Sequence, residues 1–183
     1  ISDNGSPAIY SMSEITGGMI TIDGDVTLVM SGGISLTGQS GIVVPEGSSL
    51  TIYTAHDVEI AGQGIANDGG VASDFSLFGT APMGDDGTSA GQDIKIAGNG
   101  VLAAAVYAPN ADVEIKGAGD TGEVYGGVVA LTATIVGGGA FHFDEALRGI
   151  SDGGGSYDIT SWLEMTSATD ESRPKDLSTN FWE

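Results

Sequence analysis

The sequence predicts an all-β chain, a right-handed parallel β-solenoid (β-helix) with one elaborated side loop and terminal caps, and three observations carry that expectation. A short motif of apolar, any residue, apolar, any residue, Gly recurs six times, and alternation of period two marks a strand with one face buried and the other wet. Glycine numbers 31 against 5 prolines, which fits repeated turns rather than a collagen-like or low-complexity chain. Helix signals are sparse, because few windows run three turns without glycine or a β-branched residue.

Taken in order, residues 1–17 are polar and Ser-rich and read as an N-terminal arm or cap, and the solenoid is expected over 18–150. The motif copies are Ile20–Gly24, Ile34–Gly38, Val58–Gly62, Ile94–Gly98, Val113–Gly117 and the weaker Ala133–Gly137, each glycine expected at a corner with positive φ. Their spacings are 14, 24, 36, 19 and 20 residues, and the last two match one rung built of short strands and corners. The long interval holds Asn67-Asp68-Gly69-Gly70, Asp74–Phe78 and Gly84-Asp85-Asp86-Gly87, which predicts a rung carrying a loop that projects from the solenoid's side. Val26–Met30, Ile42–Val44, Leu50–Tyr53, Val101–Tyr107 and Val124–Leu131 supply further strands, and Asp144–Arg148 and Thr160–Met165 the best helical turns. A stack of rungs has exposed ends that need caps or a partner. Residues 151–183 hold both tryptophans, Trp162 and Trp182, with Phe181, and are expected to pack on or cap the solenoid.

At 183 residues the chain bounds one domain, and its net charge of -20 excludes whole classes of partner. No lysine or arginine precedes Lys95, so nothing resembles the basic stripe that nucleic acid requires, and direct binding to anionic lipid is excluded on the same ground. The charge suits a salty or extracellular medium. There is no cysteine, hence no disulfide and no thiolate metal site. No window approaches eighteen apolar residues, and the chain opens with Ile1, so a signal or anchor is expected to lie outside a processed or excised region.

Asp23 and Asp25, flanking Gly24, and Asp85 and Asp86 place hard oxygen ligands at turns, which makes calcium the one cofactor these residues admit. They lack the repeated Gly-Gly-x-Gly-x-Asp pattern of calcium-stacked rolls, and solvated acidic corners are the simpler reading. His142-Phe143-Asp144-Glu145 is the one place where an imidazole and carboxylates crowd together; it reads as a rung cap with His142 hydrogen-bonded to backbone rather than as acid-base machinery. His56-Asp57 just precedes a strand, and Tyr107-Ala108-Pro109-Asn110-Ala111 reads as a structural corner. The outward positions Thr21, Ser35, Glu59, Lys95 and Glu114 are too mixed for an ice-binding threonine array. With 5 basic residues the chain is poorly equipped to hold acidic sugar chains, so no catalytic residue is assigned, and a neutral glycan held by exposed tyrosine or tryptophan is the carbohydrate that fits.

From about Gly18 to Glu164 the chain resembles the C-terminal β-helical domain of bacterial PilX-type, pilin-like surface proteins. The resembling stretches are Ile60–Asn67, Tyr107–Ala111 with Val113–Gly117, Val124–Val129, His142–Leu147 and Ser161–Glu164, in that order. The resemblance implies display outside a bacterial cell and adhesion or filament association, and it brings no catalytic residues. The expected function is therefore an extracellular structural or adhesive module, not an enzyme, whose partners are pilus or filament subunits or a host or cell surface. A self-assembling filament subunit, hence a homo-oligomer, and a carbohydrate-binding or carbohydrate-active β-helix are the alternatives.

Overall fold

The computed structural model describes residues 1–2, 5–84, 91–98, 101–117, 123–136 and 140–149. By contact the chain forms two units, Ile1–Ile150 and Ser151–Glu183. The second lies outside the described residues, and with it the expectations for Trp162, Trp182 and the Thr160–Met165 turn.

The first unit is a parallel β-solenoid of about five turns with almost no helix. Its strands are β1 (Ala8–Met12), β2 (Ile15–Thr16), β3 (Met19–Thr21), β4 (Asp25–Met30), β5 (Ile34–Leu36), β6 (Gly41–Val44), β7 (Ser49–Thr54), β8 (Val58–Asn67), β9 (Phe75–Gly79), β10 (Asp93–Gly98), β11 (Leu102–Lys116), β12 (Val124–Val136) and β13 (Phe141–Phe143). Every pairing among them is parallel, and they sort into three faces. One runs β1–β4–β7–β9–β11–β12–β13; the second runs β2–β5–β8–β10–β11–β12; the third joins β3, β6 and the second half of β8. Long β11 and β12 serve two faces, and the register shift between Ala108 and Asp112 is the corner that the sequence marks with Pro109-Asn110.

The repeat motif is the second face. Ile34, Val58, Ile94, Val113 and Ala133 stack in one register column, so five of the six copies are successive rungs. The sixth copy is elsewhere: Ile20 pairs with Ile42 on the third face, and the rung below Ile34 is Ile15. This is why the 14-residue spacing matched no rung, whereas Ile15 and Ile34 are 19 apart. It also places β1 and β2 within the ladder, so its first turn begins at Ala8, inside the segment that composition marks as an arm. The corner glycines divide by cause. Gly24 has φ +84°, but Gly62 keeps a negative φ and is required by close approach, because an added Cβ would lie 2.6 Å from the Ser40 carbonyl oxygen.

Inward positions make one continuous core. Leu36, Ile60, Ile96 and Ile115 form one column and Leu28, Ile52, Leu77 and Val106 another, all buried. Each such side chain contributes about 1.5–3 kcal/mol by leaving water. The long interval between Val58 and Ile94 is one long rung, since the two residues pair directly, and β9 lies within it after the 3-10 turn Ala72–Asp74. Two buried amides hold that rung in place: Asn67 donates to the carbonyls of Val71 and Ala103, and Gln92 to those of Thr54 and His56.

The last rung is covered unevenly. β13 pairs with Val124–Gly126, and the 3-10 turn Glu145–Gly149 lays Leu147 within 3.0 Å of where a Cβ on Gly127 would be. Beyond that, among the described residues 132–136 pair only with β11, and 131–136 are all exposed. Ile135 is 45% exposed although Ile115, one rung below in its column, is 1% exposed.

Candidate binding face

The first face carries a column of side chains that no inward packing requires. Ile52, Leu77 and Val106 point into the core, so the residue after each points out, and these are Tyr53, Phe78 and Tyr107 in mutual register. Val29 precedes them in the column and Val129 follows. The Tyr53 and Phe78 rings stack at 4.8 Å with 14° between planes; Tyr107 is tilted 48° to Phe78 at 6.3 Å. The stripe remains open to solvent, with Tyr107 51% and Val129 49% exposed. Beside it runs a column of small and hydroxyl-bearing residues, Thr27, Thr51, Ser76 and Ala105. The face therefore offers an apolar ridge five rungs long flanked by a low polar shelf.

The second face is its electrostatic opposite. Its outward column reads Thr16, Ser35, Glu59, Lys95, Glu114, Thr134, and the neighbouring one holds Asp93, Asp112 and Thr132. The Thr132 hydroxyl donates to the Asp112 carboxylate, and Asp57 accepts from the Asp93 N–H at 2.9 Å. A groove of about 340 Å³ runs between Glu14, Asp57, Glu59, Asp93 and Lys95, where four carboxylates face one ammonium. Of the outward positions expected from the sequence, Ser35, Glu59, Lys95 and Glu114 share this column, and Thr21 belongs to the third face.

The remaining sequence-derived candidates fall at corners. Asp23 accepts a hydrogen bond from the Ser2 hydroxyl at 3.0 Å and Asp25 one from Ser49 at 2.8 Å, each tying adjacent rungs. Asp85 and Asp86 lie outside the described residues. Among the described residues no group of three His, Asp or Glu side chains converges as a metal site. Partial burial, then the nearby charge of Asp25, raises the Asp74 carboxyl above its ordinary value of 3.8. His142 lies in β13, where its ring stacks on Tyr125 at 4.7 Å, with Nε2 4.0 Å from Glu123 Oε1 and no hydrogen-bond partner for Nε2 among the described residues. The Tyr125 hydroxyl donates to Glu123, and that hydrogen bond, followed by burial and the carboxylate's charge, pushes its phenol up. Asp144 Oδ1 accepts from the Ala146 N–H at 2.9 Å and so starts the 3-10 turn, while Arg148 lies 5.5 Å above the Phe143 ring. His56 donates its backbone N–H to the Thr54 hydroxyl, a turn contact.

The sequence predicts strands at Tyr53 and Tyr107 and places Phe78 in the long interval that carries a loop, without showing that the three align. The signal was present: each follows the second apolar residue of its alternating run, Leu50-x-Ile52, Phe75-x-Leu77 and Ala104-x-Val106. Aligning runs by inward residues rather than by the glycine motif recovers the column.

Residues 6–150 match the family described as a domain of unknown function, DUF7305. The chain belongs to that family. The match covers the ladder from just before β1 through the turn after β13, the whole described solenoid. No curated protein and no solved structure matches the chain.

Proposed function

We propose that this DUF7305 chain is an extracellular, surface-displayed structural and adhesive module of the pilus-associated type, and that the stripe Val29–Tyr53–Phe78–Tyr107–Val129 is its contact surface. The observation that carries this reading is the exposed apolar ridge itself, on a chain whose net charge is -20. Acidic surface keeps such a chain dispersed, and a contiguous apolar stripe within it marks a place where another surface docks. The rigid ladder beneath holds the rings at rung spacing, so little side-chain freedom is lost on contact. The resemblance to PilX-type surface proteins supports display outside the cell and association with pilus or filament subunits or with a host surface.

The test displays the full chain on cells and counts those retained under flow on apolar, neutral-glycan and protein coatings. Tyr53→Ser, Phe78→Ser and Tyr107→Ser combined are expected to lower retention at least tenfold on the coating that holds wild type. Equal retention by wild type and triple variant on every coating overturns the reading. Loss on the glycan coating alone makes the ligand a neutral sugar.

A further inference from the structure

The uneven last rung carries an inference that does not depend on the stripe. Residues 131–136, Leu-Thr-Ala-Thr-Ile-Val, form a half-strand without charge, proline or glycine that among the described residues is an edge, paired on one side through 132–136. Proteins ordinarily protect such edges with those very residues, because an open, apolar, β-branched edge recruits another strand. At the opposite end, among the described residues, β1, β2 and β3 each pair with one strand, β4, β5 and β6, with the Ile1 amine donating to the Thr21 carbonyl at the end of β3, and they too hold no charged residue.

We propose that the open half of β12 docks the first rung of a second copy of this chain, so that copies stack head to tail along the solenoid axis. Three observations select a second copy. The free edges are opposite edges of one parallel ladder, so a second solenoid of the same cross-section offers strands at the spacing and direction that every internal step already uses. The columns continue across the joint: Ala133 meets Ile15 in the column that runs through Ile34, Val58, Ile94 and Val113, and Ile135 meets Gly17, which leaves it room. The charge also fits, because the outward column carries Glu59, Lys95 and Glu114 in its middle and hydroxyls, Thr16 and Thr134, at its two ends. Threonine beside threonine is a favourable cross-strand pair, whereas carboxylates placed there would repel. Because each copy carries a charge of -20, long-range repulsion opposes stacking at low salt, and salt is expected to strengthen it. A contact of this kind is heterologous and gives linear assemblies rather than a closed dimer.

Sedimentation velocity on the full chain, across protein concentration and from low to molar salt, is the test. Wild type is expected to form a concentration-dependent series of oligomers that grows with salt. Ile135→Lys blocks one end and Met12→Lys the other, so each variant alone is expected to be monomeric, while their equimolar mixture forms a dimer and nothing larger. Circular dichroism checks that each is folded; Leu131→Lys and Ile20→Lys replace either variant that is not. The serine triple variant of the stripe is expected to assemble as wild type does, which separates failure of this inference from failure of the adhesive reading. A wild type that stays monomeric at every salt concentration overturns the proposal, and protection of the 131–136 amides from exchange in that monomer would assign their cover to the rest of the same chain. Assembly that survives both lysine variants overturns it as well.

Discussion

The stripe face and the acidic face differ only on the outside. Both are parallel ladders with the same alternation, and both send branched aliphatic residues inward, Leu28, Ile52, Leu77 and Val106 on one and Leu36, Ile60, Ile96 and Ile115 on the other. Outward, one presents Tyr53, Phe78 and Tyr107, the other Glu59, Lys95 and Glu114. The inward columns are held to type by the cost of a void or an unpaired polar group in a close-packed core. The outward columns meet no such demand, so they are free to differ, as an apolar ridge on one face and a charged groove on the other.

The sharpest break of that comparison is a core truncation on each face. Phe75→Ala and Ile96→Ala are both expected to destabilise the solenoid by about 2–5 kcal/mol in urea titrations, because both residues are buried on the same continuous core. A cost confined to one face would show that the two ladders melt separately.

Next in size is the corner that joins them. Gln92→Ala removes the donors from the Thr54 and His56 carbonyls and is expected to cost about 1–3 kcal/mol, read as a lower thermal midpoint.

Smaller effects separate the two outer surfaces. Phe78→Ser removes the stack with Tyr53 and is expected to cost about 0.5–1.5 kcal/mol, unchanged by salt. Lys95→Glu puts three carboxylates in one column and is expected to cost about 0.2–1 kcal/mol at low salt, shrinking towards nothing at molar salt. Denaturation of both variants at two salt concentrations checks the distinction, and a salt-dependent Phe78→Ser would remove it.

The smallest effect concerns pH. The Asp74 carboxyl is raised, so the folded state binds its proton more tightly than the unfolded chain does; that favours folding below the ordinary value of 3.8 and is lost as pH rises through the folded value. Asp74→Asn is therefore expected to gain a degree or so in thermal midpoint at neutral pH relative to its difference from wild type near pH 3, and an equal difference at both would sink the assignment.

How much of this was legible can be read residue by residue. Val58–Gly62, Ile94–Gly98 and Val113–Gly117 announce strands because their alternation is local, and they proved to be rungs of one face. Ile20–Gly24 has the same local form and lies on another face, since the motif records a strand and a corner but not which side of the solenoid they occupy. His142 was legible as an imidazole among carboxylates, yet its stacking partner, Tyr125, sits a full rung earlier and was not.

By itself, then, the sequence determined the all-β class, the parallel solenoid, the inward-facing residues of each strand and the net charge of -20. Only the tertiary structure decided which outward residues stand side by side. Successive rungs differ in length, with 25 residues from Leu50 to Phe75 and 29 from Ser76 to Ala105, so no fixed period brings Tyr53, Phe78 and Tyr107 together. Their alignment follows from hydrogen-bond register between rungs, and register is set by how the buried columns pack, a long-range condition that no local stretch of chain contains.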